Sequence, residues 1–286
     1  MKFRTEIPIQ QFPFEITYET RMLFLGSCFS EHISAYLHLH RFPVTANPFG
    51  ILFNPLSIAA ALDEMTGTQT IDERHFDFYN EKWLSFAHHG RFSHTEKAQF
   101  EEGIQQSITQ GKRALREADL LFVTLGTAYY YWHKERELVV ANCHKLPANT
   151  FDKRRATVGE IENAFHDFFT WRQQSYPDLK VVFTVSPVRH LADGFHENQL
   201  SKSVLHLAID ALIARYPETY YFPFYEIFQD DLRDYRFYDN DLCHPSAQGL
   251  AYVQEKVAEA FFSDATRQKL KEVSKEVKRE NHRPNN

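Results

Sequence analysis

The chain has 286 residues, 43% hydrophobic and 15% aromatic, enough apolar surface for a packed core and too much for wholesale disorder. Its formal net charge of -6 is spread as mixed signs with no dense basic run, which argues against nucleic acid as a partner. No window stays apolar for the length of a membrane span, and the start, "MKFRTEIPIQQFPFE", lacks the apolar core and cleavage site of a signal peptide. Three cysteines, Cys28, Cys143 and Cys243, are too few for a disulfide framework and suit a reducing compartment. The expectation is a cytoplasmic globular protein of enzyme size.

In chain order, "MLFLG" (22–26) reads as a short buried strand, followed by a helix from about Phe29 to Leu39. The segment 46–94 is rich in Asn, Pro, His and aromatics; around its helix-like "PLSIAAALDEM" it reads as loops and short helices over one edge of a sheet. A long helical pattern, "EKAQFEEGIQQSITQGKRALRE", leads into a second buried strand, "ADLLFVTLG" (118–126). Next, "TAYYYWHKERELVVANCH" breaks the alternation: two strand-like pieces flank a charged turn, predicting an inserted hairpin that returns Asn142 and His144 toward the end of that strand. "TVGEIENAFHDFFTWRQQ" is a helix before a third strand, "LKVVFTVSP" (179–187), and "ENQLSKSVLHLAIDALIARY" a helix before a shorter one, "TYYFPF" (219–224). Apolar strands spaced by helices predict an α/β fold with a doubly wound parallel sheet, one domain over residues 1–262. Beyond it, residues 263–286 are strongly charged and read as a solvated helix fading into disorder.

Ligands of open α/β sheets bind at the carboxyl ends of the strands. Gly26-Ser27-Cys28, Gly126-Thr127 and Ser186-Pro187-Val188-Arg189-His190 are all expected there. Ser27 or Cys28 would stand at a helix N-terminus, where backbone N–H groups and the dipole favour an oxyanion. Near the other end of the chain, in "DNDLCHPSAQG", Asp241 and His244 are three apart, just before a helix that Pro245 can open. That spacing can bring the carboxylate to the imidazole Nδ1–H and leave Nε2 as a general base. With Ser27 these residues would make a triad in the order Ser, Asp, His.

The motifs "GSCFS", "NPFGILFNP", "LGTA", "ANCHK", "SPVRHL" and "DLCHPS" occur in an order that resembles the GSCFA family, within the wider SGNH/GDSL-like hydrolase superfamily. The resemblance implies a three-layer α/β/α fold with a flavodoxin-like parallel sheet. It also implies an esterase site with Ser27 as nucleophile, His244 as base and Asp241 as its orienter. It places the N–H groups of Ser27 and Gly50 at the oxyanion. The superfamily's third block, Gly-x-Asn, is absent, since the chain reads Gly126-Thr127-Ala128. Asn142 is the expected substitute donor, with Thr127 or Asn47 as alternatives. Asn47, Thr127, His144, Arg189 and His190 are expected to line the substrate pocket, Arg189 and His190 facing an anionic or carbonyl group.

Other readings stay open. Cys28 is a rival nucleophile. Arg189 suits a salt bridge at the sheet edge as well as a ligand. Adjacent Cys-His pairs (143–144 and 243–244) with His88, His89 and His94 raise a metal, but their spacing fits no common ligand pattern, so neither metal nor cofactor is expected. The expected substrate is a small-molecule or carbohydrate ester. Hydrolase and acyltransferase share the same machinery, and a non-catalytic ligand-binding protein could keep the fold.

Overall fold

The computed structural model describes residues 4–281. The chain runs β1 (Met22–Gly26), α1 (Cys28–Leu39), β2 (Val44–Ala46), α2 (Pro55–Thr66), β3 (Phe76–Tyr79), β4 (Lys82–Ser85), α3 (Lys97–Glu117) and β5 (Leu120–Leu125). It continues through β6 (Tyr129–His133), β7 (Leu138–Val140), β8 (Phe151–Arg155), α4 (Val158–Ala164), α5 (His166–Ser175) and β9 (Lys180–Val185). The last third is α6 (Phe195–Arg215), β10 (Thr219–Tyr221), the single turn α7 (Phe224–Glu226), α8 (Ala247–Phe261) and α9 (Asp264–Asn281).

The central sheet has the order β10-β9-β5-β1-β2, with every neighbouring pair parallel. Side chains alternate across it because successive Cβ atoms point to opposite faces. Leu23, Leu25, Leu121, Val123, Val181 and Phe183 join a core with α2 to α6 on one side. Met22, Phe24, Leu120, Phe122 and Val182 join a second core with α1, α8 and α9 on the other. The result is three layers, α/β/α. Phe24 stacks on Phe122 at 4.6 Å across neighbouring strands, and fully burying a side chain of that size is worth about 1.5–3 kcal/mol.

Two antiparallel units sit beside this sheet. The expected hairpin is β6–β7, and β8 pairs with the other edge of β6. "FDKRR" does not read as a strand because its partners are not apolar: Lys153 lies 4.9 Å from the Tyr129 ring and Arg154 5.0 Å from that of Trp132. The cations and their methylene stems pack on aromatic faces in place of branched side chains. A second hairpin, β3–β4, stands within the segment expected to be loops and short helices. The charged C-terminal segment forms α9, but one face of it is buried, with Leu270, Val273 and Val277 turned inward. The expected disorder concerns 282–286, which lie outside the described residues. Among the described residues no helix is long and apolar enough to cross a membrane.

Sheet order reverses at β1: β2 lies on one side of it and β5 on the other. The crevice outside the carboxyl ends of β1 and β5 is therefore where a ligand is expected in this topology. Gly26 makes that end possible. Its φ is +132°, and a Cβ there would stand 2.2 Å from the Thr124 carbonyl oxygen.

Candidate active site

Ser27 follows Gly26 directly and is the N-cap of α1. Its hydroxyl does not cap the helix. Oγ is buried with no hydrogen-bond partner among the described residues, and Ser27 as a whole is 1% exposed. A buried hydroxyl without a partner is costly, and a catalytic role is one reason a fold retains it. The neighbouring Cys28 is half-buried, and burial raises its thiol pKa, opposed by the backbone N–H groups of Phe29 and of Cys28 itself. A raised thiol pKa leaves little thiolate, so Cys28 is a poorer nucleophile than a helix N-terminus usually makes.

Asp241 and His244 meet as their spacing predicts. Nδ1 of His244 lies 2.5 Å from Oδ2 of Asp241, while Oδ1 accepts the backbone N–H groups of Cys243 and His244, each at 2.9 Å. This is a local turn, in which an Asp side chain satisfies the backbone just ahead of it. The His244 N–H, then its imidazole, then the Cys243 N–H hold the Asp241 carboxyl down to about 2. The carboxylate thus fixes the Nδ1–H tautomer, and Nε2 has no partner among the described residues. Both side chains are about half exposed, 51% for Asp241 and 47% for His244. The helix after them is capped by Ser246, whose Oγ accepts the Gly249 N–H, so Pro245 sits just before the cap rather than inside the first turn.

The two N–H groups expected at the oxyanion are spent elsewhere. Ser27 N–H donates to the Thr124 carbonyl at 3.2 Å, part of the β1–β5 junction. Gly50 N–H donates to the Asn47 carbonyl at 2.7 Å, closing the "NPFG" turn. Gly50 is needed there for another reason: its φ is +80°, and a Cβ would lie 2.2 Å from Cβ of His89. Asn47 is a brace. Its Oδ1 accepts the Gly26 N–H at 2.9 Å and its Nδ2 donates to Glu31 at 3.3 Å. The Thr127 hydroxyl lies 3.1 Å from that of Ser201 and accepts the Tyr129 N–H.

The hairpin return packs against the β4 end. Ala141 N–H donates to the Phe86 carbonyl, and His144 Nε2 lies 2.8 Å from the Ser85 carbonyl. Asn142 Oδ1 accepts the His144 N–H, and its Nδ2 faces Gly90, next to the His89 that stands over Gly50. Burial lowers the His144 pKa and pushes His88 down to about 3; His88 Nδ1 lies 2.8 Å from Ser85 Oγ. Burial thus disfavours the charged form of both imidazoles. Among the described residues no three His, Cys, Asp or Glu side chains are grouped to hold a metal ion.

Arg189 and His190 leave β9 on the same edge. Arg189 donates to Gln229 Oε1 at 2.6 Å, and the His190 ring meets that of Phe53 edge-on at 5.9 Å. Burial, then the Lys202 charge, push His190 down to about 4, with His244 a weaker contributor of the same sign.

Lys202 is the residue that sequence reasoning missed. It is 1% exposed, and its Nζ donates to the carbonyls of Gly126 (2.6 Å) and Ser186 (2.7 Å), tying the ends of β5 and β9 together. It has no carboxylate partner among the described residues, and burial pushes its pKa down to about 7. Its charge acts on both Cys28 and His190. In "ENQLSKSVLHL" it reads as one more solvent-side cation; only its place between the apolar Leu200 and Leu205 hinted otherwise.

The GSCFA family model matches residues 21–257, a span that includes the whole parallel sheet and the Asp241–His244 turn. The chain belongs to the GSCFA family. No curated protein matches it. In this GSCFA protein "GSCFS" forms the β1–α1 junction, "NPFG" braces it through Asn47, and "DLCHPS" carries the His-Asp pair.

Proposed function

We propose that this GSCFA protein is a serine esterase of the SGNH type, acting on a small or carbohydrate-linked ester through an acyl-enzyme. The observation that carries the reading is the His244–Asp241 hydrogen bond of 2.5 Å, which leaves Nε2 free on a chain whose β1 ends in an unpartnered serine hydroxyl. The order of the parallel strands supports a flavodoxin-like topology, and with it a ligand site at the β1/β5 crevice. On this reading, substrate entry opens the cover over Ser27 Oγ and brings the hydroxyl to Nε2. Oγ attacks the ester carbonyl while Nε2 takes its proton, then returns it to the leaving alcohol. Water, or a second hydroxyl in a transferase, then adds to the acyl-enzyme and releases the serine. With the Ser27 and Gly50 N–H groups engaged, the oxyanion donors are the first-turn N–H groups of α1 and the Asn142 amide. Three free thiols support a reducing, cytoplasmic setting.

Turnover of a p-nitrophenyl ester series from acetyl to octanoyl tests this. The wild type should hydrolyse at least one member and Ser27→Ala none, with circular dichroism unchanged; equal rates in the two would remove Ser27 from the mechanism. The sealed hydroxyl and the two spent N–H groups favour a second reading, a ligand-binding protein without turnover, which predicts no ester hydrolysis in either protein.

A further inference from the structure

Beside the Asp241–His244 turn lies a cavity of about 320 Å3 that no step above uses, walled by Arg189, Gln229, Arg233, Tyr235, Tyr238 and Leu242 among others. Its charge is unbalanced. Arg189 is bonded to a neutral partner, the Gln229 carbonyl oxygen. Arg233 is exposed and has no carboxylate partner among the described residues. The acid on the wall, Asp234, is already engaged: Arg236 Nη2 reaches it at 2.9 Å and the Arg236 backbone N–H donates to it at 2.9 Å. Arg189 and Arg233 therefore line one small space whose single carboxylate is already bonded to Arg236.

A third donor lines the same cavity. Arg189 occupies Gln229 Oε1, which leaves Gln229 Nε2 buried with only the Tyr238 hydroxyl of the cavity wall beside it. Gln229 sits in the π-helical turn Ile227–Asp231, a rare conformation frequent at functional sites. The rim is apolar, with Tyr235 70% exposed and Leu242 55% exposed. Leu242 holds a positive φ of 60° and lies two residues from His244. Arg189 also acts on the Cys243 thiol, lowering a pKa that burial and Asp241 raise, which ties the cavity to the same turn.

We infer that this cavity binds a small ligand with an oxyanion head, a carboxylate or a phosphate monoester. The head takes N–H donors from Arg189, Arg233 and Gln229, and the body rests on Tyr235 and Leu242. Guanidinium matches both heads, because its parallel N–H groups fit two oxygens at once. That this head is the acidic end of the ester processed at His244 rests on the esterase reading; the binding does not.

Calorimetric titration of the full chain with benzoate, phenyl phosphate and benzyl alcohol tests the site. At least one of the two anions should bind and the neutral alcohol should not; benzoate alone would assign a carboxylate ligand, phenyl phosphate alone a phosphoryl one. Arg233→Gln, an exposed position whose loss does not threaten folding, should weaken that binding at least about tenfold, and Arg189→Lys should weaken it too, because a single ammonium cannot replace the fork. Failure of both anions to bind, or affinity unchanged in both variants, would overturn the proposal. The titration is repeated in Ser27→Ala, where binding should persist. Anion binding without ester turnover would leave the site standing and end the esterase reading, and turnover without anion binding would do the reverse.

Discussion

At the end of β1, Ser27 is held by partners distant in sequence: Thr124 takes its N–H, Asn47 braces the glycine before it, and Lys202 ties the neighbouring strand ends together. Asp241 and His244 are held by one another, within four residues, on a half-exposed turn. One half of the candidate site is therefore buried and dependent on the whole fold. The other is local and open to water. On the esterase reading proposed above, such a division would keep the nucleophile dry and bring the base from a surface turn once substrate is admitted.

Substitutions can break the comparison from either half. The largest effect belongs to the buried half: Ser27→Ala should lower kcat for the preferred ester by about 10^6-fold, to the level left by binding alone. Asp241→Asn acts on the local half. The amide keeps an oxygen for the two backbone N–H groups but turns an N–H toward Nδ1, so His244 takes the wrong tautomer and kcat should fall about 10^4-fold. Thermal stability should hardly move, because an exposed pair contributes little to it. Since Asp241 stays ionised down to about 2, an acid limb of the wild-type rate profile above that pH belongs to another group. A wild-type rate in Asp241→Asn would show that the turn is only a helix approach.

The smallest effect is on stability. Lys202 has a folded pKa of about 7, well below its unfolded value, so between these two the unfolded chain binds the extra proton and stability rises with pH. Below pH 7 both states are protonated and the full cost of the buried cation is present. The urea midpoint of the wild type should therefore climb from pH 7 to pH 9 relative to that of Lys202→Met. Parallel curves would mean that Lys202 stays charged in the fold, held by the Gly126 and Ser186 carbonyls.

What could be read in advance follows the same division. Four of the five parallel strands are legible because burial on both faces leaves continuous apolar runs such as "LLFVTL"; β2 is not, since it is three half-buried residues at the sheet edge. The Asp241–His244 pair is legible because it is local. Strand β8 is not, since its charges pack on Tyr129 and Trp132. Nor is Lys202, because a cation on an amphipathic helix normally faces water, and its acceptors are backbone carbonyls just past two strand ends, 76 and 16 residues away. The use of the Ser27 and Gly50 N–H groups also escapes a sequence pattern, because it depends on where the Thr124 and Asn47 carbonyls fall in space.

Ester turnover by this chain requires that His244 activate the sealed hydroxyl of Ser27. Incubation of the intact protein with a fluorophosphonate, followed by peptide mass mapping, measures that directly. A single phosphonyl adduct on Ser27, lost in His244→Ala, is the expected result. No adduct, or one on another residue that persists in His244→Ala, would contradict it.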